Sequence, residues 1–350
     1  MRVFYHLFKL SLILVAFLIL VPANATAGWW NTGAQCSDIV GDRDDPHINV
    51  LTFNTLFFSQ LASVETRMEP IVDFLDAQVD SGEPVDVVFF QEVVGGALSG
   101  VSNSAKFIQE QLSIRGVEYN LKTAFEVGIP GVFYTGNSIL SRCEIQFSLV
   151  KRLPRESEIE LFGRVINLPR NVQMARLKIP GFRKLNVYNT HLCAGCTLEE
   201  REEQLLVMLG FMNNLENLIP GKNPILLAGD FNIDIFKDND GGTYGPEKDL
   251  YDIITMYSGF DDAYAEGASD SLEYLCPDEN SPDEDCTVGV TALDLSDGGK
   301  AGRIDYIFKM GPGLRAATNS TVFFNPVVTG SPYDLVSDHA AVFVRIPLQF

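Results

Sequence analysis

The stretch Pro224-Ile225-Leu226-Leu227-Ala228-Gly229-Asp230-Phe231-Asn232 carries the most information in this chain. Pro224 to Ala228 is an apolar run of strand length, suited to burial on both faces. It stops at Gly229 and then presents Asp230 and Asn232. An acid at the edge of a buried strand is costly unless it is paired or bound to a metal. Working outward, the same pattern recurs. His47 to Leu56 runs apolar and presents Asn54, and Val85 to Phe90 is followed by Gln91 and Glu92. Lys184 to Asn189 leads into Thr190-His191, and Asp305 lies within the apolar run Arg303 to Phe308. Ser337-Asp338-His339 immediately precedes the strand Ala340 to Ile346. Each feature alone has a plain reading as a strand cap, a hydrogen-bonded structural histidine or a turn. Polar residues at the ends of six separate apolar segments, in this order, are not accidents of packing.

Helical patterns separate these strands. Thr197 and Glu200 form a capping box, and Leu205, Met208, Leu209, Met212, Leu215 and Ile219 follow at helical spacing, a stripe that reads as core. Ser63 to Asp80 and Ser104 to Leu112 read as two more helices. Strands and helices mixed along one chain predict a layered α/β domain. The chain has 350 residues, 46% hydrophobic and 21% charged, with a formal net charge of −20. That charge excludes a generic nucleic-acid binder held by a basic surface. It leaves room for an enzyme that handles phosphate through a bound cation.

Arg2 and Lys9 precede the apolar run Leu10 to Val21, and small residues at Ala23, Ala25 and Ala27 suit cleavage, so residues 1–27 are expected to be a signal peptide. The run is shorter than the roughly 20 residues that span a bilayer. Residues 28–350 are expected to form a single catalytic domain, secreted or periplasmic. Export makes the six cysteines disulfide candidates, with Cys276–Cys286 the first local pairing and Cys193–Cys196 the next. A redox role for the C-x-x-C is disfavoured because it does not read as the start of a helix after a thioredoxin-like strand, and a zinc role because no second pair of that spacing exists. Residues 266–299 hold ten acidic residues and no Lys or Arg, which predicts a solvated, disulfide-tied surface insertion.

Asn54, Gln91-Glu92, Asn189-Thr190-His191, Gly229-Asp230-Phe231-Asn232, Arg303-Ile304-Asp305-Tyr306 and Ser337-Asp338-His339 resemble the successive motifs of the endonuclease/exonuclease/phosphatase superfamily. The resemblance covers about residues 46 to 350. It implies a four-layer α/β sandwich of the DNase I-like type, two mixed β-sheets face to face with helices outside. It also implies hydrolysis of a phosphate ester dependent on Mg²⁺, with Mn²⁺ or another divalent cation as the alternative. Glu92 with Asn54 would be the principal metal ligands, and Asp338 would touch a second metal or steady its histidine neighbour. His339 would be the base for the attacking water, with Asp305 fixing its tautomer. His191 would bind a phosphoryl oxygen or protonate the leaving group. Asp230 would orient the water or lend a ligand, and Asn232 would donate to the transition state. Asn137, in the similar segment Gly136 to Arg142, would reach the substrate phosphate, or else sit in an edge-strand turn.

Three readings of the substrate follow. The first is a sphingomyelinase-like phospholipid phosphodiesterase acting on a lipid headgroup at a membrane surface. Arg303 to Ile307 and Tyr333-Asp334-Leu335 resemble that branch, and Trp29-Trp30 and Val322-Phe323-Phe324 are apolar segments suited to an interface unless they are core. The second is an exported nuclease acting on DNA or RNA. The third is a toxin or binding subunit that keeps the fold with little catalysis. No obligate protein partner is evident. Cys193 to Cys196, directly after His191, departs from the general family pattern.

Overall fold

The computed structural model describes residues 36, 39, 45–56, 64–97, 99–129, 132–161, 164–218, 221–237, 244–268, 272–277, 284–288, 301–323 and 336–350. The expected signal peptide, Trp29-Trp30, Phe324 and Tyr333-Asp334-Leu335 lie outside the described residues.

Two six-stranded sheets form the frame. The first contains β1 (His47–Asn54), β2 (Val87–Gly95), β3 (Asn120–Ile129), β4 (Phe133–Ser141), β11 (Asn319–Phe323) and β12 (Ala341–Pro347), in the order β11-β12-β1-β2-β4-β3. The second contains β5 (Glu144–Leu161), β6 (Arg164–Lys178), β7 (Lys184–His191), β8 (Ile225–Asp230), β9 (Asp261–Asp262) and β10 (Asp305–Met310), in the order β5-β6-β7-β8-β10-β9. Both sheets are mixed. The pairs β1/β2 and β7/β8 are parallel, while β2/β4 and β8/β10 are antiparallel. Parallel neighbours require a crossover, supplied by α1 (Val64–Asp80) between β1 and β2 and by α3 (Leu198–Leu218) between β7 and β8.

Period-2 alternation sorts the apolar side chains into layers. Ile48, Val50, Val87, Phe89, Ala175, Leu177, Leu185, Val187, Leu226, Ala228, Ile307, Val342 and Val344 form one buried cluster between the sheets. On the far face of the first sheet, Leu51, Phe53, Val88 and Phe90 pack beneath α1 and α2 (Ser104–Ile114). On the far face of the second, Met174, Tyr188, Leu227 and Phe308 meet Leu205, Met208 and Met212 of α3. This is the four-layer sandwich expected, and the Met/Leu stripe of α3 is core. The capping box forms as read. Thr197 Oγ1 accepts from Glu200 N at 3.3 Å, and Glu200 Oε2 accepts from Thr197 N at 3.1 Å.

Some bounds differ from the sequence reading. β2 starts at Val87 and runs on to Gly95, because its pairing with β4 survives a bulge between Phe90 and Val93. The ribbon β5/β6 was not among the strands expected, because charged and polar residues interrupt it on both faces. Its pairing is maintained by backbone ladder bonds through two register shifts. Both candidate disulfides are formed, and a third joins Cys36 to Cys143 across 107 residues. The insertion at 266–299 is not wholly solvated: Cys286 and Thr287 are fully buried, because the bond to Cys276 turns this end inward. Val322 is half-buried and packs on the inter-sheet core.

Gly229 is the tightest point in the frame. Its φ is +140°, and a Cβ there would stand 2.0 Å from the carbonyl oxygen of Thr190, its register partner in β7. Gly229→Ala therefore combines backbone strain with a clash against a central strand. We expect a loss of about 2–4 kcal/mol, read as a lower urea midpoint with an unchanged m-value.

Candidate active site

The inter-sheet face of each central strand is apolar along most of its length and polar at one end. In β1 the row Ile48, Val50 continues as Thr52 and Asn54, and in β2 Val87, Phe89 continues as Gln91. In β7, Leu185 and Val187 continue as Asn189 and His191, and in β8, Leu226 and Ala228 continue as Asp230. In β10, Asp305 stands two residues before Ile307. The buried floor is closed by paired amides. Gln91 Nε2 donates to Asn189 Oδ1 at 2.8 Å and to Thr52 Oγ1 at 3.1 Å, and Asn189 Nδ2 donates to the carbonyls of Phe90 and Ser138 at 3.0 Å. Buried polar groups survive only when paired in this way.

Glu92 breaks the alternation. It follows Gln91 and would point to the helix face in a regular strand. It adopts φ 55° within the bulge, where its carboxylate accepts from Asn54 Nδ2 at 3.2 Å. A bulge that re-aims one side chain is a common device beside active sites.

Asp230 is the centre of the group. Its Oδ2 accepts from Asn54 Nδ2 at 3.0 Å and lies 3.4 Å from His191 Nε2 and 3.8 Å from His339 Nε2. Its Oδ1 accepts from Asn232 N at 2.9 Å, which the left-handed backbone of Asn232 (φ 50°) allows. Asn232 Nδ2 donates to the Leu192 carbonyl at 3.0 Å. His339 Nδ1 donates to Asp305 Oδ2 at 2.8 Å, so the neutral form of the ring carries its proton on Nδ1 and its lone pair on Nε2. Asp338 Oδ1 is 3.9 Å from the same Nε2, and Glu92 Oε1 is 4.0 Å from His191 Nε2. Asn137 is buried on β4, with Nδ2 bonded to Asn171 Oδ1 at 3.3 Å.

Three residues that the sequence motifs do not contain support this group. Arg67 of α1 is fully buried and donates from Nη1 to the carbonyls of Thr55 and Val336, at 2.8 and 2.7 Å. It ties the end of β1 to the segment before Asp338. Thr287, from the buried end of the acidic insertion, accepts through Oγ1 from Ile304 N and Asp305 N, and its carbonyl accepts from Ala340 N at 2.7 Å. Arg170 of β6 lies 3.1 Å from His191 Nδ1. A lone arginine or threonine in a strand or helix carries no local sequence signal of such long-range contacts.

The electrostatics are those of a site with excess negative charge. Burial pushes the Asp230 carboxyl up to about 7, with Asp305 adding to the rise. Burial also raises Asp338, with Glu92 contributing. At His339 burial opposes the charged form, but Asp305, with Asp338 and Asp230, outweighs it and raises the imidazole well above its usual range. His191 is lowered well below that range by burial and then by Arg170. Among the described residues, Asp305 Oδ1 is buried without a hydrogen-bond partner. Oxygen-rich, mutually repelling and short of cations, this donor set fits a hard divalent ion. Ligand atoms of Asp230, Asp305 and His339 lie within 4.8 Å of one another. On the other side of Asp230, the Glu92 carboxylate and the Asn54 side chain could also hold a cation.

The sequence profile of the endonuclease/exonuclease/phosphatase family matches residues 51–339, a span that takes in every motif from Asn54 to His339. The chain belongs to the endonuclease/exonuclease/phosphatase family. It is therefore a phosphoric ester hydrolase of a metal-dependent family. Among solved structures, a family member from Leptotrichia buccalis C-1013-b is 20% identical with a TM-score of 0.54, covering 87% of this chain and 100% of its own. One from Bacteroides vulgatus is 18% identical with a TM-score of 0.56, covering 87% and 99%. D. rerio TDP2, complexed with a single strand DNA product, is 18% identical with a TM-score of 0.56, covering 86% and 99%. At these identities the likeness is one of fold. A search of curated protein sequences finds no match.

Proposed function

We propose that this family member is an exported, Mg²⁺-dependent phosphodiesterase acting on a phospholipid headgroup in the manner of a sphingomyelinase. The observation that carries the hydrolytic reading is the placing of Asp230 between the Nε2 atoms of two histidines with Asn54 and Glu92 beside it. Glu92 and Asn54 would hold the cation, with Asp338 as a further oxygen donor. Bound there, the ion would supply Lewis-acid neutralisation of charge on the phosphate oxygens. His339 accepts the proton of the attacking water at Nε2, while Asp305 fixes the ring and stabilises the imidazolium. Asp230 orients the water, and Asn232 lies at the same strand end to donate to charge developing on phosphorus oxygens.

Two features support a lipid. The formal charge of −20 repels a polyanion. Phe125 and Val132 are exposed on and beside the strands that carry Glu126 and Asn137, with the Phe125 ring edge-on to Tyr134 at 4.4 Å. Three disulfides accord with export. Nucleic acid is the second reading, favoured by the single strand DNA product held by D. rerio TDP2. The two separate in one assay with Mg²⁺. Phosphocholine release from sphingomyelin vesicles is expected. Nicked plasmid DNA without phosphocholine release would transfer the assignment to nucleic acid.

A further inference from the structure

The two histidines beside Asp230 are wired in opposite senses. His339 Nδ1 faces a carboxylate, an acceptor, so Nδ1 is a donor and the lone pair of the neutral ring lies on Nε2. His191 Nδ1 faces Arg170 Nη1 at 3.1 Å. A guanidinium offers donors and no acceptor. His191 Nδ1 must therefore accept, and the ring proton sits on Nε2, turned towards Asp230 Oδ2 at 3.4 Å.

Arg170 is itself held in place. It is 5% exposed, and Glu126 Oε2 lies 3.6 Å from the same Nη1. Glu126 stands where the β3/β4 register slips between Phe125 and Val127, and its side chain is 3% exposed. As at Glu92, a bulge places an acid beside the site.

We propose that Glu126 and Arg170 are positioning residues that hold His191 Nδ1 as an acceptor and so present its Nε2–H as a donor to a phosphoryl oxygen rather than to the leaving group. An imidazolium at His191 would point its Nδ1–H at the guanidinium, donor against donor. The phosphoryl oxygen rests on the phosphodiesterase reading. The tautomer rests on the geometry alone.

The tautomer is tested on the Mg²⁺-loaded protein labelled with ¹⁵N-histidine, by long-range ¹H–¹⁵N correlation. His191 is expected as the Nε2–H form in the wild type and in Arg170→Lys, which keeps a donor. In Arg170→Met a mixture of tautomers is expected. An Nδ1–H or doubly protonated His191 in the wild type near neutral pH would overturn the proposal. The role is tested with His191→Ala on bis(4-nitrophenyl) phosphate and on a phenyl diester with a poorer leaving group. A phosphoryl-oxygen donor predicts losses equal within about threefold for the two substrates. A general acid predicts an extra loss for the phenyl ester of about 100-fold or more, which would also overturn the proposal. If the wild type turned over neither ester, the phosphodiesterase reading would fail while the resonance pattern still decided the tautomer.

Discussion

His339→Asn is expected to lower kcat/KM for phosphodiester hydrolysis by about 10³-fold or more while melting close to the wild-type temperature. General base catalysis contributes about 10²–10⁴-fold, and His339 Nε2 is the lone pair that the structure aims at the space beside Asp230. Asparagine can place an amide nitrogen near the position of Nδ1 and so keep a donor for Asp305, but it has no counterpart of Nε2. His339→Ala removes both. Asp305 is fully buried, and its Oδ2 takes the His339 bond, so alanine strands a carboxylate that already has one unpartnered oxygen. Alanine should therefore match asparagine in activity and be less stable by about 1–3 kcal/mol. Activity within tenfold of wild type in His339→Asn, measured by steady-state hydrolysis, would remove His339 from the chemistry.

Asp230→Asn is expected to do the reverse to stability. Asp230 is 1% exposed, and burial, reinforced by Asp305, pushes its carboxyl up to about 7, well above the usual carboxylate range. An acid whose folded pKa lies above its unfolded value stabilises the fold when protonated. That contribution is complete below about pH 4 and is lost as pH rises through about 7. The metal-free wild type should lose stability between pH 5 and pH 8 through this group, and Asp230→Asn should lack this part of the slope. At pH 8 the metal-free variant should be more stable by on the order of 1–3 kcal/mol. Asparagine still offers an oxygen to Asn232 N, which limits the loss of hydrogen bonding. Activity should fall about 10³-fold or more, since the group between the two imidazoles is neutralised. Thermal melts across this pH range in the presence of chelator check the sign. A variant less stable than wild type at pH 8 would contradict it.

The layered fold and the assembly of the site were legible for one reason. In β1, β2, β7, β8 and β10 the same face that buries Val50, Phe89, Val187, Ala228 and Ile307 ends in Asn54, Gln91, His191, Asp230 and Asp305. An apolar run that ends in a polar, ligand-forming side chain is a local signal, and five such ends, with Ser337-Asp338-His339 before β12, identify a common polar floor. What escaped is what only three-dimensional packing reveals. Arg67 looks like part of a solvated helix face, yet it is fully buried between Thr55 and Val336. Arg170 lies in a ribbon whose charges resemble a loop, and Glu126 becomes a site residue only through a register slip. The acidic insertion reads as solvent-facing by composition, while Thr287 at its end fixes the backbone of Asp305. The Cys36–Cys143 bridge spans 107 residues, beyond any local pairing rule.

The central claim is that residues from separate strands form one cation site in which Glu92 is a principal ligand. Thermal melting of the metal-free protein titrated with Mg²⁺, wild type against Glu92→Gln, tests it most directly. A ligand that binds only the native state raises stability by about 2.7 kcal/mol at one hundred times its dissociation constant. A saturable rise in Tm is expected for the wild type and not for Glu92→Gln at the same concentrations. An equal rise in both proteins would contradict it.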